Sequence, residues 1–355
     1  MTERISRLRK FFVEDHGHRT CRKAASDEFL LARAFEKEGI SDTRRAVKRL
    51  VYMLNEETPV FFPGQTIAFV RTNPTLQALF TPEEKEEIAR HHRLHESGEL
   101  SNICVDYTRL LSLGFAGMRR RVEEQEREFL AQGKLPEAEY LNGELEILDA
   151  LTDLILRYSQ AAREQGLTEI AERLSRLLEN APETLHDALQ MQRILHFTMW
   201  LSGSYHNTLG RFDQYMLPWF QKDLECGRLT EESALELLEE YFLTFNIDSD
   251  LYPGMQQGDN GQSMVLGGLT AHGRDGFSRL SALCLQASLK LKLIDPKINL
   301  RVNKDTPLSI YELGTRLTKQ GLGFPQYSND DVVIPGLERL GYRTEDARDY
   351  AVAAC

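Results

Sequence analysis

Apolar positions recur at spacings of three and four through most of this chain, a repeat that predicts amphipathic helices. Between Glu137 and Gln165 the stripe is Leu141, Leu145, Leu148, Leu151 and Ile155, which predicts one long helix. Capping chemistry marks several starts. Ser41-Asp42 predicts a helix toward Glu56, and Thr81-Pro82-Glu83-Glu84 joins an N-cap, a proline at the first helical position and a glutamate at N3, a capping box. Pro182 is expected to open a helix through Leu189 and Met191 toward Trp200. Thr230 is expected to cap one with the apolar face Ala234, Leu237, Leu238, Tyr241 and Phe245. Phe277 to Leu293 and Pro307 to Gln320 read as two more helices, the latter capped by Thr306 and stopped by Gly321.

Strand-like runs are few and short: Thr66 to Val70, Ser263 to Leu266, Ile298 to Val302, Gln326 to Ser328 and Tyr350 to Ala354. The last four alternate with helices, the pattern of βα units that feed a parallel sheet. We expect one architecture without repeats or linkers. Residues 1–200 would supply mainly an outer helical layer, and residues 201–355 the βα units. The fold class expected is therefore helix-rich α/β. The final run, Tyr350 to Ala354, reads as a buried strand carrying Cys355 at its tip. A domain rarely stops inside a core strand, so the chain reads as cut there.

Composition narrows the function classes. Apolar residues make up 41% of the 355 and charged ones 27%, ordinary for a globular protein. The net charge of −11 argues against a nucleic-acid binder, which would show a basic face. Arg119-Arg120-Arg121 is followed at once by Glu123, Glu124, Glu126 and Glu128 and reads as a solvated helix face. No apolar run approaches the length of about 18 residues that spans a membrane, and Met1-Thr2-Glu3-Arg4 opens no signal-peptide core. No membrane partner is expected, and the location expected is the cytoplasm. Cys21, Cys104, Cys226, Cys284 and Cys355 are odd in number and widely spaced, so reduced thiols are expected rather than a disulfide framework or thiol metal site.

Individual motifs admit bland readings. His91-His92-Arg93-Leu94-His95 places two imidazoles on one helix face but without an acidic or thiol companion, so a solvated helix end is favoured and no metal is expected. Gly210-Arg211-Phe212-Asp213-Gln214-Tyr215 follows the polar stretch Ser202 to Asn207. It reads either as a helix start with Asp213 near its positive end or as a loop offering backbone N–H groups to an anionic substrate. Gly267-Gly268 ends a strand where backbone could approach a ligand closely, and it lacks the spacing of a dinucleotide site. Ser328-Asn329-Asp330-Asp331 is, by itself, a helix cap.

Taken in order along the chain, these segments resemble the glycyl radical enzymes, the family of pyruvate formate-lyase and the glycerol dehydratases. The resemblance rests on Pro182 through Gln190, Leu209-Gly210-Arg211-Phe212-Asp213-Gln214-Tyr215 with Gly227-Arg228-Leu229-Thr230 behind it, and Leu266-Gly267-Gly268. It continues through Arg301-Val302-Asn303-Lys304-Asp305-Thr306-Pro307, Gly321-Leu322-Gly323-Phe324-Pro325 and Asn329 to Pro335. It implies the first half of a ten-stranded α/β barrel, with Cys355 as the thiyl-radical cysteine. It further implies substrate contacts from Asn102, Asn207, Thr208, Gly210, Arg211, Gly267, Gly268, Asn329 and Asp330. Gly210-Arg211, Gly267-Gly268 and Asn329-Asp330 are expected to converge near Cys355, since parallel strands place their chemistry at one end of a barrel. The cofactor implied is a glycyl radical on a segment absent from this chain, installed by a separate S-adenosylmethionine/iron–sulfur activase. That activase and a small-molecule substrate are the partners implied, together with a complementary C-terminal chain or a second copy of this one.

The pattern departs from the family in places. Leu340-Gly341-Tyr342 precedes the cysteine and cannot be the radical loop. Ala354 stands where pyruvate formate-lyase has the first of two cysteines, which argues against formate acetyltransferase activity. Asn102 stands where dehydratases carry a substrate-contacting histidine. The reading favoured is a truncated or split enzyme of lyase or dehydratase type that cleaves a C–X bond by radical chemistry. Its alternatives are a non-catalytic half-barrel that assembles with a complementary chain, and a helical scaffold. An open edge at Tyr350 to Ala354 would leave the chain alone prone to association.

Overall fold

A computed structural model describes residues 1–91, 103–204, 206–248, 251 and 261–353. Its helices, in chain order, are α1 Glu3–Arg9, α2 Leu30–Glu38, α3 Asp42–Glu56, α4 Pro82–His91, α5 Tyr107–Ala131, α6 Leu135–Glu164, α7 Thr168–Glu179 and α8 Leu185–Leu201. They continue with α9 Phe212–Tyr215, α10 Leu217–Glu225, α11 Glu231–Thr244, α12 Arg279–Leu291, α13 Leu308–Thr318, α14 Asp330–Arg339 and α15 Thr344–Arg348. No helix among the described residues is long and apolar enough to cross a membrane.

Local chemistry explains the starts. Ser41 caps α3 by accepting from Arg44 N. Thr81 and Glu84 exchange the reciprocal bonds of a capping box. Helix α8 starts at Leu185 rather than at Pro182, because Thr184 and Asp187 form a second such box. Helix α13 carries no side-chain cap: Pro307 holds the N-cap position, and the Thr306 hydroxyl instead accepts from Asn303 N at 2.8 Å. Helix α5 breaks at Gly114 (φ 65°), where a Cβ would lie 2.9 Å from Asn180 O as the two segments cross.

Three strands, β1 Ser263–Gly267, β2 Lys297–Val302 and β3 Gln326–Asn329, form a parallel sheet in that order. Met264 pairs with Ile298 and Arg301 with Ser328. Helices α12 and α13 make the crossovers that parallel pairing requires. Two isolated parallel bridges, Cys104 to Thr208 and Gly210 to Met264, extend the row. The five parallel segments are thus Ile103–Cys104, Thr208–Gly210, β1, β2 and β3. The helix-rich first part of the chain contributes the outermost one.

Two expected strands are absent. Residues 66–70 are buried but irregular, since buried side chains take the place of a ladder. Glu240 accepts from Thr66 N and Ile67 N, Gln190 from Ala68 N and the Tyr158 hydroxyl from Val70 N, while Arg193 donates twice to Phe69 O. Residues 350–353 form no strand either. The carbonyls of Tyr350 and Val352 accept instead from side chains reaching from the parallel row, as described next. The open edges of the described sheet therefore lie at Ile103–Cys104 and at β3, whose Gln326 and Tyr327 are exposed, and not at residues 350–353.

Candidate active site

Parallel strands end together, so the side chains at their C-terminal ends meet. Arg301, near the end of β2, and Asp330, the first residue of α14, are both fully buried. Their pairing is bidentate, Nε to Oδ1 at 2.9 Å and Nη2 to Oδ2 at 3.0 Å. The guanidinium has further donors, and they reach the last described segment: Nη2 donates to Arg348 O at 2.8 Å and Nη1 to Tyr350 O at 3.1 Å. The Tyr350 ring lies 3.9 Å beneath the Arg301 guanidinium, and its hydroxyl donates to Asp330 Oδ1 at 2.9 Å. Burial, the largest influence, pushes the Tyr350 phenol up, so it stays a donor at neutral pH. Asp330 also accepts from Leu269 N at 2.7 Å. A buried ion pair offsets its desolvation only when its remaining donors and acceptors are engaged, and this arrangement engages them.

Gly268 makes the pair possible. Its φ is +71°, and a Cβ there would sit 2.6 Å from Arg301 Cβ and Nε and 2.8 Å from Asp330 Oδ2. Gly267 beside it donates to Asp213 Oδ2 at 2.7 Å. Asp213 is fully buried, and burial raises its carboxyl pKa against the bonds it accepts from Ser281, Gln214 and Gly267. Arg211 bridges the same region, donating to Gly267 O at 3.0 Å, Asp349 Oδ1 at 3.0 Å and Arg348 O at 3.3 Å. Burial, then the neighbouring Arg301 charge, lowers its pKa. The Thr208 hydroxyl accepts from Gly210 N and shares its hydrogen between Ser263 O at 2.9 Å and Val352 O at 3.0 Å. Behind this strand end, Tyr107 donates to Thr208 O and Tyr215 to Leu209 O. Their rings stack 5.2 Å apart.

Beside these groups opens a cavity of about 500 Å³, whose wall includes Cys104, Tyr107, Arg211, Tyr215, Trp219, Asp349 and Ala351. Burial, then Asp349 and Asp106, raises the Cys104 thiol pKa, so it faces the cavity uncharged. The cavity is mixed in character, with an aromatic flank and a guanidinium–carboxylate corner, and falls in the size range of small-molecule pockets.

The expected residues divide. Thr208, Gly210, Arg211, Gly267, Gly268 and Asp330 converge on residues 348–352. Asn207 is buried nearby and donates to Ser204 O at 2.7 Å. Asn329 does not join them: it is exposed and caps α14 by accepting from Asp331 N. Asn102, His92, His95, Ala354 and Cys355 lie outside the described residues. The N–H groups of Gly210 and Gly267 are engaged internally, so this turn offers no open cradle for an anion. Sequence reasoning does not single out Asp349 and Tyr350 as ligands of this cluster, and it marks Arg301 only within a motif. A visible signal exists for Arg301, since an arginine inside the apolar run Ile298 to Val302 must find a buried partner.

The family model described as pyruvate formate lyase-like matches residues 84–355. The (2S)-3-sulfopropanediol dehydratase of Klebsiella oxytoca is 26% identical over 292 residues, covering 76% of this chain and 35% of its own length. The isethionate sulfite-lyase of Nitratidesulfovibrio vulgaris is 32% identical over 214 residues, covering 57% of this chain and 26% of its own. The glycerol-bound form of the B12-independent glycerol dehydratase from Clostridium butyricum superposes with a TM-score of 0.80 at 21% identity, over 100% of this chain and 54% of that one. The chain thus spans 35% or less of those two curated relatives.

Proposed function

The chain belongs to the pyruvate formate lyase-like family of glycyl radical enzymes, and from that premise we propose that it forms the cysteine-bearing half-barrel of a radical lyase or dehydratase. The observation that carries the reading is the capture of residues 348–352 at the strand ends by Arg211, Arg301 and Thr208. Asp349 and Ala351 of this stretch line the cavity, which supports a role for the cysteine that follows them in the sequence. A glycyl radical, installed by an S-adenosylmethionine/iron–sulfur activase, would supply the acceptor for the Cys355 thiol hydrogen atom. Cys355 would then take one hydrogen atom from a substrate carbon, regain its S–H bond and leave that carbon ready to lose the adjacent substituent. Radical transfer of this kind needs a site that excludes water and oxygen, and burial of the surrounding pairs fits that need.

The substrate class follows from the cavity and the relatives together. A small hydroxylated aliphatic molecule suits a 500 Å³ space with one aromatic flank and one charged corner. The named relatives act on a sulfopropanediol and on isethionate. The function requires the remainder of the barrel, from a complementary polypeptide or a continuation of this one, in an anaerobic cytoplasm. The test is anaerobic activation of the complemented protein with glycerol, 1,2-propanediol and hydroxyalkylsulfonates as candidate substrates. Formation of an aldehyde, or release of sulfite, supports the reading. A fully activated protein that converts none of them overturns it.

A further inference from the structure

Every second carbonyl between Arg348 and Val352 receives a side-chain donor from the sheet: Arg348 O and Tyr350 O from Arg301, and Val352 O from Thr208. The run leaves α15 at Arg348 and turns at Asp349 (φ −92°, ψ 16°), and guanidinium and hydroxyl donors hold its carbonyls in place of a neighbouring strand. These three bonds take backbone oxygens, and the Asp349 carboxylate and Tyr350 hydroxyl add side-chain bonds to Arg211 and Asp330, so the path of the segment is fixed at both its backbone and its two polar side chains. Arg301 is suited to the task because its planar fork can satisfy Asp330 with one pair of donors while reaching two carbonyls with the others. Asp330 holds the fork in plane and grips the Tyr350 hydroxyl, and Gly268 leaves the room.

We infer that the Arg301–Asp330 pair is a positioning device for the cysteine-bearing segment, so that Arg301, Asp330 and Tyr350 act on Cys355 through its backbone and not on substrate. This deepens the reading proposed above and rests on it for its functional meaning. It assigns Asp330 a role other than the substrate contact implied by the family resemblance.

The test reads position alone, without a radical or a substrate. A nitroxide is attached at exposed Ala353 through Ala353→Cys, with the other accessible cysteines replaced by serine, and its electron paramagnetic resonance lineshape is recorded. The parent should give an immobilised spectrum. Arg301→Lys keeps the charge but cannot span the carboxylate and both carbonyls, and should convert the spectrum to a mobile one. Tyr350→Phe removes a single hydrogen bond and should produce a partial shift, which keeps the test decisive where the lysine variant fails to fold. Asp248→Asn, which breaks a second fully buried pair among the described residues, Arg193–Asp248, should lower the melting temperature without changing the Ala353 spectrum. A folded Arg301→Lys protein and a Tyr350→Phe protein that both retain the parent lineshape would overturn the inference. Loss of the proposed catalysis for any other reason would leave these spectra unmoved, so the two failures are distinguishable.

Discussion

Replacing Gly268 by alanine should be far more costly than its one added methyl suggests. Two effects combine. The residue has φ +71°, and an L side chain in the left-handed region costs roughly 1–2 kcal/mol. The new Cβ would also stand 2.6 Å from Arg301 and 2.8 Å from Asp330 Oδ2. Neither side chain can step aside without leaving the other as a buried charge, and breaking such a pair costs about 3–5 kcal/mol. The sum expected is roughly 4–7 kcal/mol. Gly39 provides the reference. Its φ is +65° and a Cβ there would meet nothing within 4 Å, so Gly39→Ala incurs the backbone strain alone. Urea denaturation of both variants, followed by far-ultraviolet circular dichroism, measures the difference directly. Gly268→Ala should exceed Gly39→Ala by at least about 2 kcal/mol, allowing for partial relaxation of the pair. Equal losses would refute the claim that Gly268 exists to admit the Arg301–Asp330 pair.

Acid should destabilise the fold through two buried histidines. Burial, then the charge of Arg173, lowers the His186 pKa to about 3, and burial, then Arg193, does the same for His196, from an ordinary 6.5. Arg173 can only donate to His186 Nδ1 (2.9 Å), which holds that ring neutral with its proton on Nε2, toward Thr66. The unfolded chain takes up these protons first as pH falls below 6.5, so stability present above that value is lost down to about 3, at up to ~1.4 kcal/mol per pH unit for each ring. Asp213 and Glu57, whose pKa values burial raises, act in the opposite sense. The diagnostic is therefore the difference between parent and His186→Gln urea melts across this window, which should show a slope smaller by up to one proton; parallel curves would contradict it. Tyr158→Phe should cost about 1–3 kcal/mol by leaving Val70 N and O unpaired in the core, and a neutral result would show that residues 66–70 hold their course without side-chain bonds. In the complemented enzyme, Arg301→Lys should lower kcat and leave KM unchanged, because the residue touches the cysteine segment and not substrate; a raised KM with intact kcat would assign it to substrate instead.

Local signals in the sequence are sufficient for most helices. A capping box such as Thr81-Glu84 is closed within one turn, and the stripe of α6 needs only its own spacing. β1 and β2 are legible for the same reason, each being a short apolar run between helices, whereas the polar β3 (Gln326–Asn329) is marked only by its place between two helices. The failures have a common physical origin. Residues 66–70 and 350–353 carry the composition of strands, but their backbone partners are side chains distant in sequence: Glu240 is 174 residues from Thr66, and Arg301 is 49 from Tyr350. No periodicity reports such pairing. Conversely, Cys104 and Gly210 complete the parallel row through single bridges too short to leave a pattern. The cluster at the strand ends is half visible. Its glycines and Arg211 stand out as motifs, whereas Asp349 joins Arg211 across 138 residues and Asp330 joins Arg301 across 29. Arg301 itself is conspicuous only as a charge in an apolar run.

The most direct test of the account compares the parent and Cys355→Ser proteins, each supplied with the portion of its relatives' length that this chain does not span and activated anaerobically. If Cys355 carries the hydrogen transfer, both proteins will show the glycyl signal in electron paramagnetic resonance, and only the parent will convert substrate. Conversion of substrate by the serine variant at the parent rate would contradict the account.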